Sequence, residues 1–162
     1  MPASCARAAP KPSPPPVRRA TPRDLDAIDR IEQRSFAQDR FPRRNLRRVH
    51  ASRASLFLIA EADGAPAGYL MLLFRRGAAV ARLYSIAVDP GFRGRGIAER
   101  LINAAEAAAS GQGANRLRLE LRPSNIAAQR LYERAGFALL ERRPGYYDDG
   151  EDAIRMEKRL AP

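Results

Sequence analysis

A glycine-rich segment, Gly91–Gly96, lies between a predicted strand and a predicted helix and constrains the fold of this chain more than any other feature. The strand is Val80–Val88, and the alanine-rich helix is Ile97–Ser110, which Gly111 and Gly113 close. Small residues let the backbone curl so that successive N–H groups point at one place, and the helix start adds the positive end of its dipole. The segment therefore predicts an anion-binding loop, to which Arg93 and Arg95 add positive charge.

The residues that follow the glycines separate three kinds of phosphate-binding loop. A Walker loop needs Lys followed by Ser or Thr, whereas this chain has Ile97 and Ala98. A dinucleotide fingerprint beginning at Gly94 needs a small residue where Glu99 stands, and it needs a parallel strand–helix–strand unit early in the domain. The third kind holds the pyrophosphate arm of coenzyme A. A basic turn that binds no ligand is the alternative.

Hydrophobic spacing, capping residues and turn signals predict the order β-α-α-β-β-β-α-β-α-β-β, which is a mixed sheet with helices on its faces. Residues 1–16 contain six of the 13 prolines and are predicted to be a disordered arm, so that one domain spans residues 17–162. The first predicted helix begins at Pro22, and the other three cover 43–51, 97–110 and 126–135. The predicted strands include 55–62, 67–74, 80–88, 116–122, 138–143 and 153–159.

The formal net charge of +11 favours an anionic partner, for which nucleic acid, a ribosome surface, anionic lipid and a polyphosphate cofactor are candidates. All but two of the 29 basic residues are arginine, a bias that genome composition can also produce. The single Cys5 permits no intrachain disulfide, and neither a cysteine metal cluster nor an apolar membrane segment is expected. These features predict a cytoplasmic protein without a metal site.

Four segments resemble, in the right order, the motifs of the GNAT N-acetyltransferases. Residues 93–98 read RGRGIA, which fits the acetyl-CoA-binding pattern Gln/Arg-x-x-Gly-x-Gly/Ala of that family. The other three are YSIAVDP at 84–90, PSNIAAQRLYERAGF at 123–137 and GYYDDGEDA at 145–153. The last is similar to the branch that acetylates the N-termini of ribosomal proteins, although residues around the first two helices lack that branch's aromatic Pro-Trp-Ser-like segment.

The resemblance implies an α/β (α+β) GNAT fold, a mixed and mostly antiparallel sheet of about six to seven strands flanked by about four helices. It also implies acetyl-CoA as cofactor, with main-chain N–H groups at the end of the strand, Ile86–Val88, holding the thioester carbonyl and the pantetheine. The implied cofactor-binding residues are Ile86, Ala87, Val88, Arg93, Gly94, Arg95, Gly96, Ile97, Ala98 and Asn125.

The motif match implies Glu120 as general base and Tyr132 as proton donor. A carboxylate working through a water suffices, because an α-amine has a reference pKa of roughly 7.7–8.0. Glu120 alternates with Arg118 and Arg122, so a surface salt bridge is the alternative for it. For Tyr132 the alternative is a packed aromatic side chain. His50, the only histidine, is expected to be structural or solvent-facing.

The resemblance implies that Tyr146 and Tyr147 contact the acceptor. Nearby acids either attract a cationic amine or form a solvated turn; they are Asp148, Asp149, Glu151 and Asp152. A second charged cluster is basic, and it is either a solvated helix face or a docking surface; it comprises Arg40, Arg43, Arg44, Arg47 and Arg48.

The sequence therefore predicts an acetyl-CoA-dependent N-acetyltransferase that acts by direct transfer on a protein N-terminal α-amine, with a ribosomal protein as a candidate acceptor. Acetylation of a small molecule or of lysine on the same scaffold is the alternative enzyme hypothesis. A basic nucleic-acid or ribosome-binding module with a degenerate acyl-CoA site is the alternative of another class, against which the chain offers no aromatic-rich RNA strand motif and no recognition helix.

Overall fold

The structure, a computed structural model, describes residues 16–162. Every predicted element is present, although β3 begins at Ala65 and a 3-10 turn over Pro22–Asp24 precedes the first α-helix. The predicted arm at residues 1–16 lies outside the described residues except for Pro16, whose carbonyl oxygen accepts a hydrogen bond from the Glu61 N–H at 3.1 Å. The elements are β1 (Val17–Arg19), α1 (Leu25–Ser35), α2 (Arg43–Ala51), β2 (Ser55–Ala62), β3 (Ala65–Phe74), β4 (Val80–Val88), α3 (Ile97–Gly111), β5 (Arg116–Leu121), α4 (Ile126–Arg134), β6 (Ala138–Arg143) and β7 (Ala153–Arg159).

The seven strands form one sheet in the order β1-β2-β3-β4-β5-β7-β6. Strands β4 and β5 pair in parallel, and every other neighbouring pair is antiparallel. A parallel pair needs a crossover connection, which α3 supplies. The predicted mixed, mostly antiparallel α/β fold is confirmed.

Strands β4 and β5 pair only along their first three residues, Val80–Arg82 with Arg116–Arg118. Both strands continue beyond this point without further pairing to each other, so a cleft opens between them. The register between β3 and β4 also shifts, because Met71 pairs with Ser85 whereas Leu72 pairs with Leu83. Tyr84 is thus an extra residue in β4, and such a bulge bends a strand. The bulge therefore accounts for β4 turning away from β5.

Each face of the sheet buries its own apolar cluster. One face packs against α3 and α4 and includes Leu70 and Leu117, while the other packs against α1 and α2 and includes Ile28 and Ile59. The residues of β3 from 69 to 72 are all fully buried, as expected for a strand covered on both faces. At Gly68 an added Cβ would be 3.0 Å from the Ala87 carbonyl oxygen of β4 and 3.1 Å from the Ile97 side chain of α3. Close packing thus fixes the start of α3 against β3 and β4.

Candidate active site

The glycine-rich loop presents a run of free backbone donors at the start of α3. Gly94 and Gly96 adopt positive φ angles of 79° and 73°, which turn the chain tightly. Within residues 16–162, the N–H groups of Arg93–Ala98 donate to no protein acceptor. No atom lies within 4 Å of a Cβ placed on either glycine, so the space in front of the loop is open. Free donors at a helix N-terminus suit the pyrophosphate of coenzyme A.

Two ion pairs hold the loop in place, one formed by Arg95 within it and one by Asp89 just before it. Arg95 forms a salt bridge with Asp63 at 2.8 Å and lies over the Phe92 ring. The buried Asp89 accepts hydrogen bonds from Arg34 at 2.9 Å and from the Gly91 N–H at 2.9 Å. The donors are therefore fixed before any ligand arrives, which lowers the entropic cost of binding.

The free edge of β4 adjoins this loop. The predicted thioester-binding residues, Ile86–Val88, bond to β3 on one side only, because the pairing with β5 ended at Arg82. Backbone groups on the other edge thus face the cleft. A strand edge of this kind supplies donors that need no reorganisation during a reaction.

Glu120 lies on β5 across the cleft, and its side chain is 7% exposed. As in the alternative hypothesis Glu120 forms ion pairs, but not with Arg118, which bonds to Glu157, or with Arg122, which bonds to two loops. Its actual partners come from the neighbouring strands. Arg82 Nε donates to Oε2 at 3.0 Å, and Arg155 Nε donates to Oε1 at 3.0 Å. Spacing along one strand could not show this, because the partners are set by sheet order.

Tyr132 is buried on α4, where its ring packs edge-on against Phe137 with centroids 5.7 Å apart. Burial, together with the nearby Tyr147, raises the pKa of its hydroxyl, so that the group keeps its proton at neutral pH. Among the described residues this hydroxyl has no hydrogen-bond partner. Tyr132 is thus a packed aromatic side chain, as the alternative hypothesis stated, and its hydroxyl is also free to donate a proton, as the catalytic hypothesis requires.

The remaining predicted site residues frame the cleft. Asn125 is exposed and caps α4, because its Oδ1 accepts a hydrogen bond from the Ala128 N–H at 3.1 Å. Tyr146 and Tyr147 stack edge-on with centroids 5.0 Å apart, and the Tyr146 hydroxyl accepts a hydrogen bond from Arg82 at 3.0 Å. Contacts therefore run from the tyrosine loop through Arg82 to Glu120.

Three of the four carboxylates in the acidic loop pair with arginines of the protein itself. Asp149 and Glu151 each accept a hydrogen bond from Arg122 at 2.8 Å. Asp152 pairs with Arg142 at 2.8 Å. These three carboxylates form structural ion pairs, whereas Asp148 is exposed and forms no salt bridge among the described residues.

The basic cluster around α2 is divided between paired and exposed arginines. Arg43 forms ion pairs with Asp26 and Asp29, and Arg40 donates to the Phe36 carbonyl oxygen. All five arginines are exposed, and the side chains of Arg44, Arg47 and Arg48 form no hydrogen bond or salt bridge within the described residues. At the end of this helix, His50 Nε2 lies 3.0 Å from the Ala20 carbonyl oxygen and the ring stacks on Phe57, consistent with a structural role.

A buried carboxylate behind β4 escaped the sequence analysis. Glu32 of α1 is 1% exposed, and its Oε1 accepts hydrogen bonds from the Tyr69 and Ser85 hydroxyls, the latter at 3.0 Å. Its Oε2 accepts one from the Phe41 N–H at 3.0 Å. The signal was available, because Glu32 stands four residues after the fully buried Ile28 and thus faces the core. The network joins α1, β3, β4 and the loop before α2.

Together these features define an acyl-CoA-dependent N-acyltransferase: backbone donors at a helix start, a strand edge freed by a diverging sheet, and a carboxylate and tyrosine near that opening. Residues 25–137 match the profile of the acetyltransferase (GNAT) family, and the chain belongs to that family. It is an acetyl-CoA-dependent N-acetyltransferase. This assignment confirms the resemblance seen in the sequence.

Relatives and a solved structure cover almost the whole chain. An uncharacterised N-acetyltransferase of Methanocaldococcus jannaschii is 33% identical over 144 residues, which cover 88% of this chain and 90% of the relative. The putative ribosomal protein bS18-alanine N-acetyltransferase of Bacillus subtilis is 34% identical over 145 residues, covering 86% and 92%. The crystal structure of the Escherichia coli ribosomal-protein-S18-alanine N-acetyltransferase superposes with a TM-score of 0.81 at 29% identity, covering 91% and 95%.

None of the helices in residues 16–162 is long and apolar enough to cross a membrane.

Proposed function

We propose that this enzyme acetylates the α-amine at a protein N-terminus, with a ribosomal protein as the candidate acceptor, in the cytoplasm. The observation that carries the acceptor class is the likeness, over more than four fifths of the chain, to two proteins named as acting on the alanine of ribosomal protein S18. Small-molecule and lysine acetylation are the competing activities on this scaffold.

The residues that would hold acetyl-CoA come from the loop and from the strand edge. The free N–H groups of Arg93–Ala98 would bind the pyrophosphate, and Ile86–Val88 would bind the thioester carbonyl and the pantetheine through backbone groups. Asn125, at the opposite side of the cleft, would contact the cofactor arm through the amide nitrogen that its capping bond leaves free. When bound, acetyl-CoA supplies a thioester carbonyl carbon that an amine can attack.

Two side chains would move protons. The Glu120 carboxylate, held by Arg82 and Arg155, would take a proton from the acceptor amine through a water. The Tyr132 hydroxyl would donate a proton to the leaving sulfur, a role that its free donor supports. Direct transfer fits the chain, because its only cysteine is Cys5, far in sequence from the cleft.

The acceptor would enter beside Tyr146 and Tyr147. These rings lie against each other, and the Tyr146 hydroxyl accepts a hydrogen bond from Arg82, which holds Glu120, so an acceptor that touches them is close to the base. Aromatic side chains with a polar tip suit a site that binds both the backbone and the apolar part of a short peptide.

Single-turnover rates test the two proton-transfer roles. We expect Glu120→Gln to lower the rate by about 10²-fold or more at pH 7, the range typical of general acid–base catalysis. The deficit should shrink above about pH 8, because the α-amine then loses its proton without help. Glu133→Gln, which removes an exposed carboxylate on α4, is the matched control. A deficit independent of pH would assign Glu120 a structural role.

Tyr132→Phe separates catalysis from packing. Since the hydroxyl makes no hydrogen bond within the described residues, its loss should leave the melting temperature almost unchanged while the rate falls. An unchanged rate would remove Tyr132 from the mechanism.

A peptide-library assay identifies the acceptor. Peptides with free and with blocked N-termini are incubated with enzyme and acetyl-CoA, and the modified atom is located by mass spectrometry. We expect the label at the α-amine, with preference for peptides that begin like ribosomal proteins. Labelling confined to lysine side chains would replace the proposal by its lysine alternative.

A further inference from the structure

Arg122, directly after β5, is bound by groups from two loops. Its Nε and Nη2 donate to the two oxygens of Asp39 at 2.7 and 3.1 Å, while its Nη1 donates to Asp149 and to Glu151 at 2.8 Å each. The guanidinium carbon lies 4.0 Å from the centre of the Tyr147 ring. The side chain is only 15% exposed, so most of its donors are used. We call Arg122 with its three carboxylates the Arg122 latch.

The carboxylates of the latch come from distant parts of the chain. Asp39 belongs to the loop between α1 and α2, whereas Asp149 and Glu151 belong to the loop between β6 and β7. Arg122 itself follows the strand that forms one wall of the cleft. Both loops therefore meet at the open end of β5, on the side where the tyrosines lie.

Three carboxylates around one guanidinium make the loop arrangement depend on that guanidinium. Without it, like charges on the two loops would repel each other across a short distance. Asp39 also has a φ angle of 57°, in the left-handed region, and its bidentate bond to Arg122 helps to hold this backbone conformation. Hydrogen bonds from Ser124 and from Arg122 lower the pKa of Glu151, which keeps it charged.

Two further contacts tie the loops to the reacting side of the cleft. Phe41, in the α1–α2 loop, stacks edge-on against Tyr84 of β4 with centroids 5.6 Å apart. Tyr147 packs under Arg122 and against Tyr146, which bonds to Arg82. The latch thus fixes the loops relative to both walls of the cleft and, through Arg82, relative to Glu120.

Building on the proposed function, we propose that Arg122 is a positioning residue that joins the α1–α2 and β6–β7 loops and thereby sets the affinity for the acceptor chain. The cofactor loop connects β4 to α3, and it makes no contact with the latch among the described hydrogen bonds and salt bridges. The latch should accordingly govern acceptor binding and leave cofactor binding unaffected.

The test compares three variants of the full chain. Arg122→Gln removes the shared cation, and Asp39→Asn weakens the tie to the α1–α2 loop alone. Arg142→Gln is the matched control, because Arg142 pairs with Asp152 and joins only β6 to its own loop. The measurements are KM for an acceptor peptide, KM for acetyl-CoA, and hydrogen–deuterium exchange of residues 36–42 and 144–152 without substrate.

We expect Arg122→Gln to raise the acceptor KM about tenfold or more, the effect of losing charge-assisted contacts that preorganise a site, with acetyl-CoA KM within about twofold of wild type. In Arg122→Gln, hydrogen–deuterium exchange should become faster in both loops. In Asp39→Asn, exchange should become faster chiefly in residues 36–42. Arg142→Gln should change neither the acceptor KM nor the acetyl-CoA KM. Equal increases in both KM values, or unchanged exchange in both loops, would overturn the proposal. Because exchange needs no substrate, the latch is tested even if the peptide is not an acceptor, and Asp39→Asn keeps the test available should Arg122→Gln fail to fold.

Discussion

Replacing Tyr69 with Phe removes a single hydroxyl from the buried Glu32 network and tests how much that network contributes to stability. Tyr69 is fully buried, and its hydroxyl donates to Glu32, itself 1% exposed. Burial and the Glu32 charge raise the pKa of Tyr69 well above its usual range, so the donor is present at all ordinary pH values. After the substitution Glu32 retains the Ser85 and Phe41 donors only.

The expected loss follows from the charge and the burial of the acceptor. A hydrogen bond to a buried charged group contributes about 1.5–3 kcal/mol, so Tyr69→Phe should lower the free energy of unfolding by about 2 kcal/mol. For a domain of this size, about 2–4 °C of melting temperature corresponds to each kcal/mol, which predicts a fall of about 4–8 °C. The removed volume is small, so a cavity adds little.

Urea unfolding at pH 7, followed by circular dichroism, measures the change. Tyr146→Phe is the control, since its hydroxyl accepts from Arg82 at a side chain that is 39% exposed, and such a contact should contribute less than about 1 kcal/mol. A double-mutant cycle with Glu32→Gln should give a coupling of about 1 kcal/mol or more. A loss no larger than that of Tyr146→Phe, or a coupling near zero, would refute the reasoning.

Three further substitutions probe other parts of the molecule. The hydrogen bond from Arg18 lowers the pKa of Asp24 from 3.8 to about 2. A carboxyl whose pKa is lower in the folded state adds stability above about pH 4, and this stability is lost as the pH falls through 2. Asp24→Asn should remove about 1–2 kcal/mol at neutral pH, allowing for solvent screening at Arg18, and should flatten the pH dependence of unfolding between pH 4 and 2. Gly68→Ala should lower stability by about 1–3 kcal/mol through overpacking against α3, read as a shift of the urea midpoint; a neutral effect would mean that α3 can move. Arg93→Gln should raise KM for acetyl-CoA without changing the melting temperature, whereas Arg100→Gln should change neither; equal effects of the two would exclude Arg93 from cofactor binding.

The helices, the strands and the family could be predicted from the sequence, because each depends on a pattern of residues that are close together in the chain. The alternating strand β5 and the glycine-rich turn before α3 each depend on neighbours within a few residues, and each has the predicted structure. The order of strands within the sheet was outside the reach of such signals. Register pairs Glu120 with Arg155, and strand order brings Arg82 beside it, so neither partner follows from spacing along one strand.

Ion pairs between loops were the hardest features to predict. Asp39 and Arg122 are far apart in sequence, and their contact depends on how two loops fold over the end of a strand. The acidic turn illustrates the same difficulty. Its composition was equally compatible with an amine-binding surface and with a solvated loop, and only the positions of Arg122 and Arg142 show that three of its four carboxylates are paired.

The short parallel seam between β4 and β5 also bears on the order in which this protein folds. Strands β2, β3 and β4 are joined by short turns, whereas the seam joins segments separated by the whole of α3, and β1 pairs with β2 across α1 and α2. Contacts between nearby segments form faster, because less chain entropy is lost in closing the loop. We therefore expect β2, β3 and β4 to assemble early and the pairing of β4 with β5 to form late. During synthesis the edge of β4 stays open until β5 has emerged, so the future cofactor edge is also the edge most exposed to wrong pairing in a nascent chain.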